Sequence, residues 1–469
     1  MDLILPLKNT YGKLPKQLHS AQIPTPVSNP RLIIFNFELA DQIGISGTKN
    51  ENELAQVFSG NVVPHGANPL AQRYAGHQFG HWNPNLGDGR AILLGEANGF
   101  DIQLKGSGQT PYSRRGDGRA WLGPVLREYI LSEAMHALGL PTTRALAAVE
   151  TGDTVVRETA LPGAVFTRVA SSHIRVGTFQ ALAAAQDKPG LQALFEYSVQ
   201  RHYPTASSPL EFLRAVIAEQ AKLIAHWMAV GFIHGVMNTD NCTISGETID
   251  YGPCAFLDEY NPMKVFSSID RAGRYAYGNQ PHIIVWNMAQ LATALVPLMP
   301  NQDAAVVDFT SEIHEMPNII DRHWLSFFRA KIGLISEKKG DKSLITDFLS
   351  LMEQSNADFT NSFRSLIKGT AKSRFVDSDS FSKWENTWRA RLDQEQTDPL
   401  ETMSTANPAL IPRNHQIERM IQAAVNGEEN QIHRLMTAYA NPYLENPDFT
   451  DLMRPPRSEE QVQRTFCGT

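Results

Sequence analysis

At 469 residues, with 42% hydrophobic and 19% charged side chains, the chain has the length of one large domain or two to three ordinary ones and a globular composition. A formal net charge of -7 excludes a nucleic-acid binder that works through a broadly basic surface, while leaving room for a local basic pocket for a small anion. The three cysteines cannot make a disulfide framework; the Met1-Asp2-Leu3-Ile4-Leu5-Pro6 start lacks a secretory pattern, and no apolar run is long enough to span a bilayer. The expected setting is therefore cytoplasmic, with neither a membrane nor a nucleic acid as partner.

Residues 1 to about 80 read as irregular, punctuated by Pro24, Pro26, Pro30, Pro64 and Pro69. Ala91 to Gly95 and Asp101 to Lys105 read as strands around the turn signal Ala97-Asn98-Gly99. After a glycine-rich stretch, Val125, Leu126, Tyr129, Ile130, Ala134 and Leu138 recur at helical spacing, and Gly139 and Pro141 end that helix. Leu146 to Glu150 and Thr154 to Glu158 predict a hairpin turning at Thr151-Gly152-Asp153, followed by a strand at Ala164 to Ala170. Beyond Phe179 the periodicity is helical, most clearly from Leu210 to Val230, and Ile283 to Leu298 reads as a buried helix. A strand-rich half with one helix followed by a helical half predicts an α+β protein of two lobes, with a boundary near 171–178.

The chemistry concentrates after the Leu210–Val230 helix. His234 and Asn241 stand seven residues apart, and Asp250-Tyr251-Gly252 follows a short apolar piece. This layout resembles the protein-kinase catalytic loop and its Asp-Phe-Gly segment, in which an amide oxygen and a carboxylate hold a divalent cation against nucleotide phosphates. Upstream, Lys105 ends a strand and Glu128 lies on the next helix, the arrangement in which a kinase lysine is oriented toward phosphate. Gly87-Asp88-Gly89-Arg90 is either a turn that lets backbone amides approach phosphate or an ordinary tight turn. The loop from Gly106 to Arg119, with Arg114, Arg115 and Arg119, is either anion-facing or solvated. One part is replaced: Val236 stands where the kinase base belongs, and the nearest acid is Asp240. The residues alone thus leave open an inactive binder or an enzyme that uses Asp240 as base. His77 and His81 have ligand-like spacing, but Gly76, Gly80 and Pro84 argue against the helix a zinc site there would need. Lys338 to Lys342 lacks Walker A order and reads as a charged loop.

Tyr74-Ala75-Gly76-His77-Gln78-Phe79-Gly80, Leu86 to Ala91, Leu104 to Gly108, Thr110 to Arg114, Gly116 to Ala120, Ser172 to Gly177, His234 to Asn241 and Ile249 to Pro253 together resemble the selenoprotein O family, whose bacterial members are called YdiU. The resemblance implies a protein-kinase-like bilobal fold with a strand-rich N-lobe and a helical C-lobe. Its expected divisions are an N-terminal extension (1–80), the N-lobe (81–177), the C-lobe (178–330) and a helical C-terminal extension (331–469). It also implies an enzyme that binds ATP, or UTP, in a flipped orientation with Mg²⁺ or Mn²⁺. Such an enzyme transfers the nucleoside monophosphate to Ser, Thr or Tyr hydroxyls of proteins. On that resemblance Asp240 is the base, Asn241 and Asp250 are metal ligands, and Gly87, Gly89, Arg90, Lys105, Asp117, Gly118, Arg168, Arg175 and Asp250 contact the nucleotide. Glu128 pairs with Lys105. Arginine forks at 168 and 175 suit the distal phosphates of a flipped nucleotide. Eukaryotic members carry a selenocysteine near the C-terminus, whereas this chain ends Phe466-Cys467-Gly468-Thr469. A Cys254–Cys467 disulfide tethering the tail is the corresponding expectation, against reduced thiols as the cytosolic default; Cys242 reads as a buried core thiol. A γ-phosphotransferase and a non-catalytic nucleotide-binding scaffold are the alternatives.

Overall fold

The computed structural model describes residues 2–47 and 50–465. Its strands are β1 (His19–Ala21), β2 (Arg31–Phe35), β3 (Leu70–Gln72), β4 (Gly76–Gln78), β5 (His81–Asn83), β6 (Ala91–Ala97), β7 (Phe100–Lys105), β8 (Ala120–Trp121), β9 (Arg144–Val156) and β10 (Ala160–Ala170) in the first half. An eight-stranded antiparallel sheet runs β1-β3-β6-β7-β10-β9-β2, with β8 paired to β10, while β4 and β5 form a separate hairpin. β6 and β7 are joined at Asn98-Gly99, both at positive φ (48° and 84°), which matches the twist of a tight hairpin.

Two sequence expectations fail here. The first 80 residues are not irregular: they supply strands at both edges of the sheet and helices α1 (Phe37–Gln42) and α2 (Glu51–Phe58), capped by the side chains of Asn36 and Asn50. Strands of three to five residues are too short to show alternation, and β2 finds its partner only in the distant β9. Nor is there a turn at 151–153. β9 runs unbroken to Val156, and Gly152 (φ 74°) instead admits the segment at Asn29, whose Cβ would lie 2.7 Å from a side chain placed there. The Asn29 amide donates to the Thr151 carbonyl at 2.9 Å, so the glycine marks a close backbone approach.

Helix α3 (Leu122–Ala137) crosses the sheet against β9 and β10 and is buried on nearly every side, including its charged residues Arg127, Glu128 and Glu133. The helical half contains α4 (Val176–Ala184), α5 (Lys188–His202), α6 (Pro209–Val230), α7 (Gln280–Leu295) and α8 (Gln302–Lys331), then α9 (Asp341–Gln354), α10 (Phe359–Ile367), α11 (Ser378–Leu392), α12 (Pro399–Ala406), α13 (Asn414–Val425), α14 (Asn430–Tyr439) and α15 (Thr450–Met453). In α6 the boundaries follow from local chemistry. Ser208 accepts from the Glu211 amide, Pro209 opens the first turn, and Gly231 (φ 75°) ends it. Caps of this kind are worth about 1 kcal/mol each. Past that glycine, β11 (Phe232–Ile233) pairs with β12 (Ala255–Phe256), and the loop between them carries His234, Asp240, Asn241 and Asp250.

The chain thus has the strand-rich and helical halves of a protein-kinase-like α+β fold. The C-terminal segment departs from simple extension of the helical half. α13 and α14 return to pack on α3, through Ile417, Met420, Ile421, Ile432 and Leu435 against Leu122, Leu126, Tyr129 and Ile130. Among the described residues no helix is long and apolar enough to cross a membrane.

Candidate functional site

A cleft of about 480 Å³ opens between the sheet and the β11–β12 loop, within the usual range of about 300–1,000 Å³ for ligand sites. Its walls include Gly87, Gly89, Arg90, Lys105, Asp117, Gly118, Glu128, Arg168, Arg175, Asp240, Asn241 and Asp250. At the inner end four charged groups interlock. Lys105 Nζ lies 2.6 Å from Glu128 Oε2 and 2.5 Å from Asp250 Oδ1, and Arg168 Nη1 lies 3.2 Å from Glu128 Oε1 and 2.9 Å from Asp250 Oδ1. Lys105 is brought there by the end of β7, Glu128 by α3, Arg168 by β10 and Asp250 by a left-handed backbone (φ 66°). Tyr251 anchors that bend, buried beside Phe232 and hydrogen-bonded through its hydroxyl to Thr142. Burial alone would raise the Asp250 pKa, but the charges of Lys105, Arg168 and Arg175 outweigh it and hold the carboxyl well below the usual range.

Arg168 is buried, and every remaining side of its guanidinium is directed. Nη2 donates to Gln103 Oε1 at 2.6 Å and Nε to His173 Nε2 at 3.2 Å. His173 can accept because burial pushes its pKa down to about 4, so the ring is neutral, with Nδ1 facing Asp101 at 3.2 Å. Arg175, also buried, stacks over the Tyr74 ring (4.3 Å), donates to the Asp240 carbonyl (3.0 Å), and lies 3.7 Å from Asp88 and 3.9 Å from Asp250. Arg90 Nη1 and Arg175 Nε are buried without a hydrogen-bond partner among the described residues. Buried guanidinium donors left unmet in a cleft are an anion site by their chemistry.

The glycine-rich loop forms the outer rim. Gly118 (φ 70°) lies against the Gly108 backbone so closely that a Cβ would meet its carbonyl carbon at 2.1 Å. Asp117 is exposed and paired with Arg157 at 2.8 Å, and the Arg119 guanidinium holds the Thr25 and Pro26 carbonyls, stapling the loop to the N-terminal segment. Arg114 lines the cleft as well.

Asp240 sits at the loop's other side. Its Oδ2 accepts from Gln78 Nε2 at 3.0 Å, and its Oδ1 is buried without a partner among the described residues. Burial raises its pKa to about 6, against the lowering effects of Gln78 and Arg175. Asn241 Nδ2 donates to the Val236 carbonyl at 3.0 Å, which leaves the amide oxygen as the end for a cation. Asn241 and Asp250 fit a hard divalent ion in donor type. Among the described residues no group of three or more His, Cys, Asp or Glu gathers as a self-sufficient metal cage, so phosphate oxygens and water would complete the coordination, as is usual for Mg²⁺ at nucleotide sites.

Three functional candidates escaped the sequence reading: Asp88, buried beneath the glycine turn and accepting from the Gln72 amide (3.1 Å) and Gln103 (2.9 Å); Gln78; and Arg127. Asp88 and Gln78 lie inside motifs already singled out, which is the only signal that pointed to them. Cys242 and Cys254 are buried free thiols, Cys254 pushed up to about 12 by burial. Cys467, its expected partner, lies outside the described residues.

Comparison with known proteins agrees with this architecture. The family model described as "Protein adenylyltransferase SelO" matches residues 5–440. A protein of Ruegeria sp. named "Protein nucleotidyltransferase YdiU" is 59% identical over 100% of both chains, and one of the same name from Bacillus cytotoxicus is 50% identical over 98% of this chain and 97% of its own. The chain belongs to the protein adenylyltransferase SelO family.

Proposed function

We propose that the protein transfers the nucleoside monophosphate of ATP, or of UTP, to Ser, Thr or Tyr hydroxyls of proteins. The observation that carries this reading is the division of the cleft. An inner end bearing Lys105, Arg168, Arg175 and Arg90 faces a loop on which Asp240 keeps a carboxylate oxygen without a hydrogen-bond partner among the described residues. Val236, at the usual kinase base position, has no proton-accepting side chain.

The acceptor oxygen attacks the α-phosphorus. Its proton passes to the Asp240 carboxylate, the bond from the α-phosphorus to its bridging oxygen breaks, and pyrophosphate leaves with that oxygen. Lys105, oriented by Glu128, faces the charge that develops on the phosphoryl oxygens, and Arg90, Arg168 and Arg175 receive the departing phosphates of a nucleotide bound with its triphosphate inward. Backbone at Gly87, Gly89 and Gly118, with Asp117, borders the nucleoside end. Asn241 and Asp250 would hold Mg²⁺ or Mn²⁺, which supplies charge neutralisation at the phosphates when bound.

Acceptor-dependent release of pyrophosphate from ATP by the wild type, lost in Asp240→Ala, supports the reading. Release of ADP instead would replace it with γ-phosphotransfer, and tight ATP binding without either product would leave a scaffold.

A further inference from the structure

The hairpin β4–β5, which falls within the Tyr74–Gly80 motif and its continuation to Asn83, lies directly against the loop that carries Asp240. The backbone on either side of Gln78 grips residues just before Asp240. His77 N donates to Thr239 Oγ1 at 2.7 Å and Phe79 N to Asn238 Oδ1 at 3.1 Å; Tyr275 OH donates to the same Asn238 oxygen at 2.6 Å. Ahead of them, Ala75 N donates to the Gly177 carbonyl at 3.0 Å. Gly76 allows the approach, since a Cβ there would sit 3.1 Å from Asp240 Oδ1 and 3.0 Å from Thr239 Oγ1.

The turn of this hairpin is strained. Phe79 and Gly80 connect the Gln78–His81 pair at φ 52° and 84°, a tight turn that glycine adopts freely and phenylalanine does not. A bulky residue in that region persists only where its surroundings fix it. Here the Phe79 ring packs on Tyr275 at 5.1 Å. Immediately before this turn, Gln78 lines the cleft and donates to Asp240 Oδ2 at 3.0 Å.

We propose that Gln78 is a positioning residue: its hydrogen bond to Oδ2 fixes the Asp240 carboxylate at the cleft wall in the orientation that receives the acceptor proton. This rests on the reading of Asp240 as the base. It also gives the N-terminal segment a part in the chemistry, since the orienting group of a base in the helical half comes from a hairpin that precedes the nucleotide-binding strands.

The test compares full-length wild type, Gln78→Ala, Gln78→Glu and Asp240→Asn, with ATP and dephosphorylated casein as the acceptor probe. It reads kcat for nucleotidyl transfer, Kd for ATP and the thermal midpoint. Removing a group that orients a reacting side chain costs about 10–100-fold in activity. Gln78→Ala is expected to lower kcat by about that factor, and Gln78→Glu, which keeps the size but sets a second carboxylate against the first, by more. ATP Kd and the thermal midpoint stay at wild-type values in both. A kcat for Gln78→Ala within about twofold of wild type, or a loss that appears equally in ATP Kd, overturns the proposal. Asp240→Asn separates the two failures. If it abolishes transfer while Gln78→Ala is unaffected, only the role of Gln78 falls; if it transfers like wild type, the base assignment falls and this proposal with it.

Discussion

Asp250→Asn probes the charge balance of the cleft most deeply. Lys105, Arg168 and Arg175 face Glu128, Asp250 and Asp88, three cations to three anions, and Asp250 touches all three cations at 2.5, 2.9 and 3.9 Å. The substitution keeps the shape and removes one negative charge from a largely buried cluster. Breaking a buried ion pair from one side costs about 3–5 kcal/mol, so the ligand-free variant should unfold several degrees below wild type. The surplus positive charge then faces whatever anion enters. ATP in the presence of EDTA should bind the variant more tightly than wild type, by about tenfold if about 1.4 kcal/mol of the lost balance is recovered. Transfer in the presence of Mg²⁺ should nevertheless fall by about 100-fold or more, because a group facing the reacting phosphates is gone. Thermal melts with and without ATP and EDTA, beside a transfer assay, read all three quantities. A variant as stable as wild type without ligand, or one whose metal-free ATP affinity falls, would refute the charge-balance reasoning.

Arg127→Ala should loosen the loop from a distance. Its guanidinium donates to the Gly252 (3.0 Å) and Cys254 (2.5 Å) carbonyls and to Asn414 (3.1 Å), and leaving buried carbonyls unmet costs about 1–3 kcal/mol each; faster hydrogen exchange at 250–256 and a lowered kcat are expected. Gly118→Ala cannot fit against Gly108 and demands a left-handed alanine; ATP affinity measured by calorimetry should drop and the thermal midpoint should fall with it. Lys331 is buried over the Phe359 and Phe363 rings (5.3 and 4.3 Å), and burial lowers its pKa to about 7 from 10.5. Below about pH 7 both folded and unfolded states carry the proton and the full desolvation cost is present. Between about pH 7 and 10.5 the unfolded state binds more protons, so this group makes stability rise with pH, and above that the cost is gone. Lys331→Met should therefore raise the denaturation midpoint most at about pH 6, by up to about 5 kcal/mol equivalent, with the gain fading toward pH 10; a gain independent of pH would contradict the assignment.

How much of this was legible in the sequence depended on the range of each signal. The long helices α3, α6 and α7 showed themselves because an apolar face repeats over many turns, and the turn at Asn98-Gly99 because both residues favour positive φ. The edge strands from the first 80 residues stayed hidden, being three to five residues long and paired with distant segments. Gly152 misled for a related reason: a glycine that admits Asn29 looks, in one dimension, like a glycine that turns the chain. In the cleft, motif spacing singled out Lys105, Glu128, Asn241 and Asp250, whose chemistry is tied to short local patterns. Arg127 had no such pattern. It sits inside a helix buried on nearly every side, and its partners Gly252 and Cys254 become neighbours only when the β11–β12 loop closes on α3, Asn414 and Glu418 only when α13 folds back on it.

Which phosphorus leaves the nucleotide with the acceptor separates nucleotidyl transfer from γ-phosphoryl transfer, and ATP labelled at the α- or the γ-phosphate measures it directly. Incubated with Mg²⁺ or Mn²⁺ and an acceptor protein, the wild type is predicted to retain α-label on protein and no γ-label, with the α-signal lost in Asp240→Ala, in Asp250→Ala and after EDTA. Retention of γ-label on the acceptor would contradict the account.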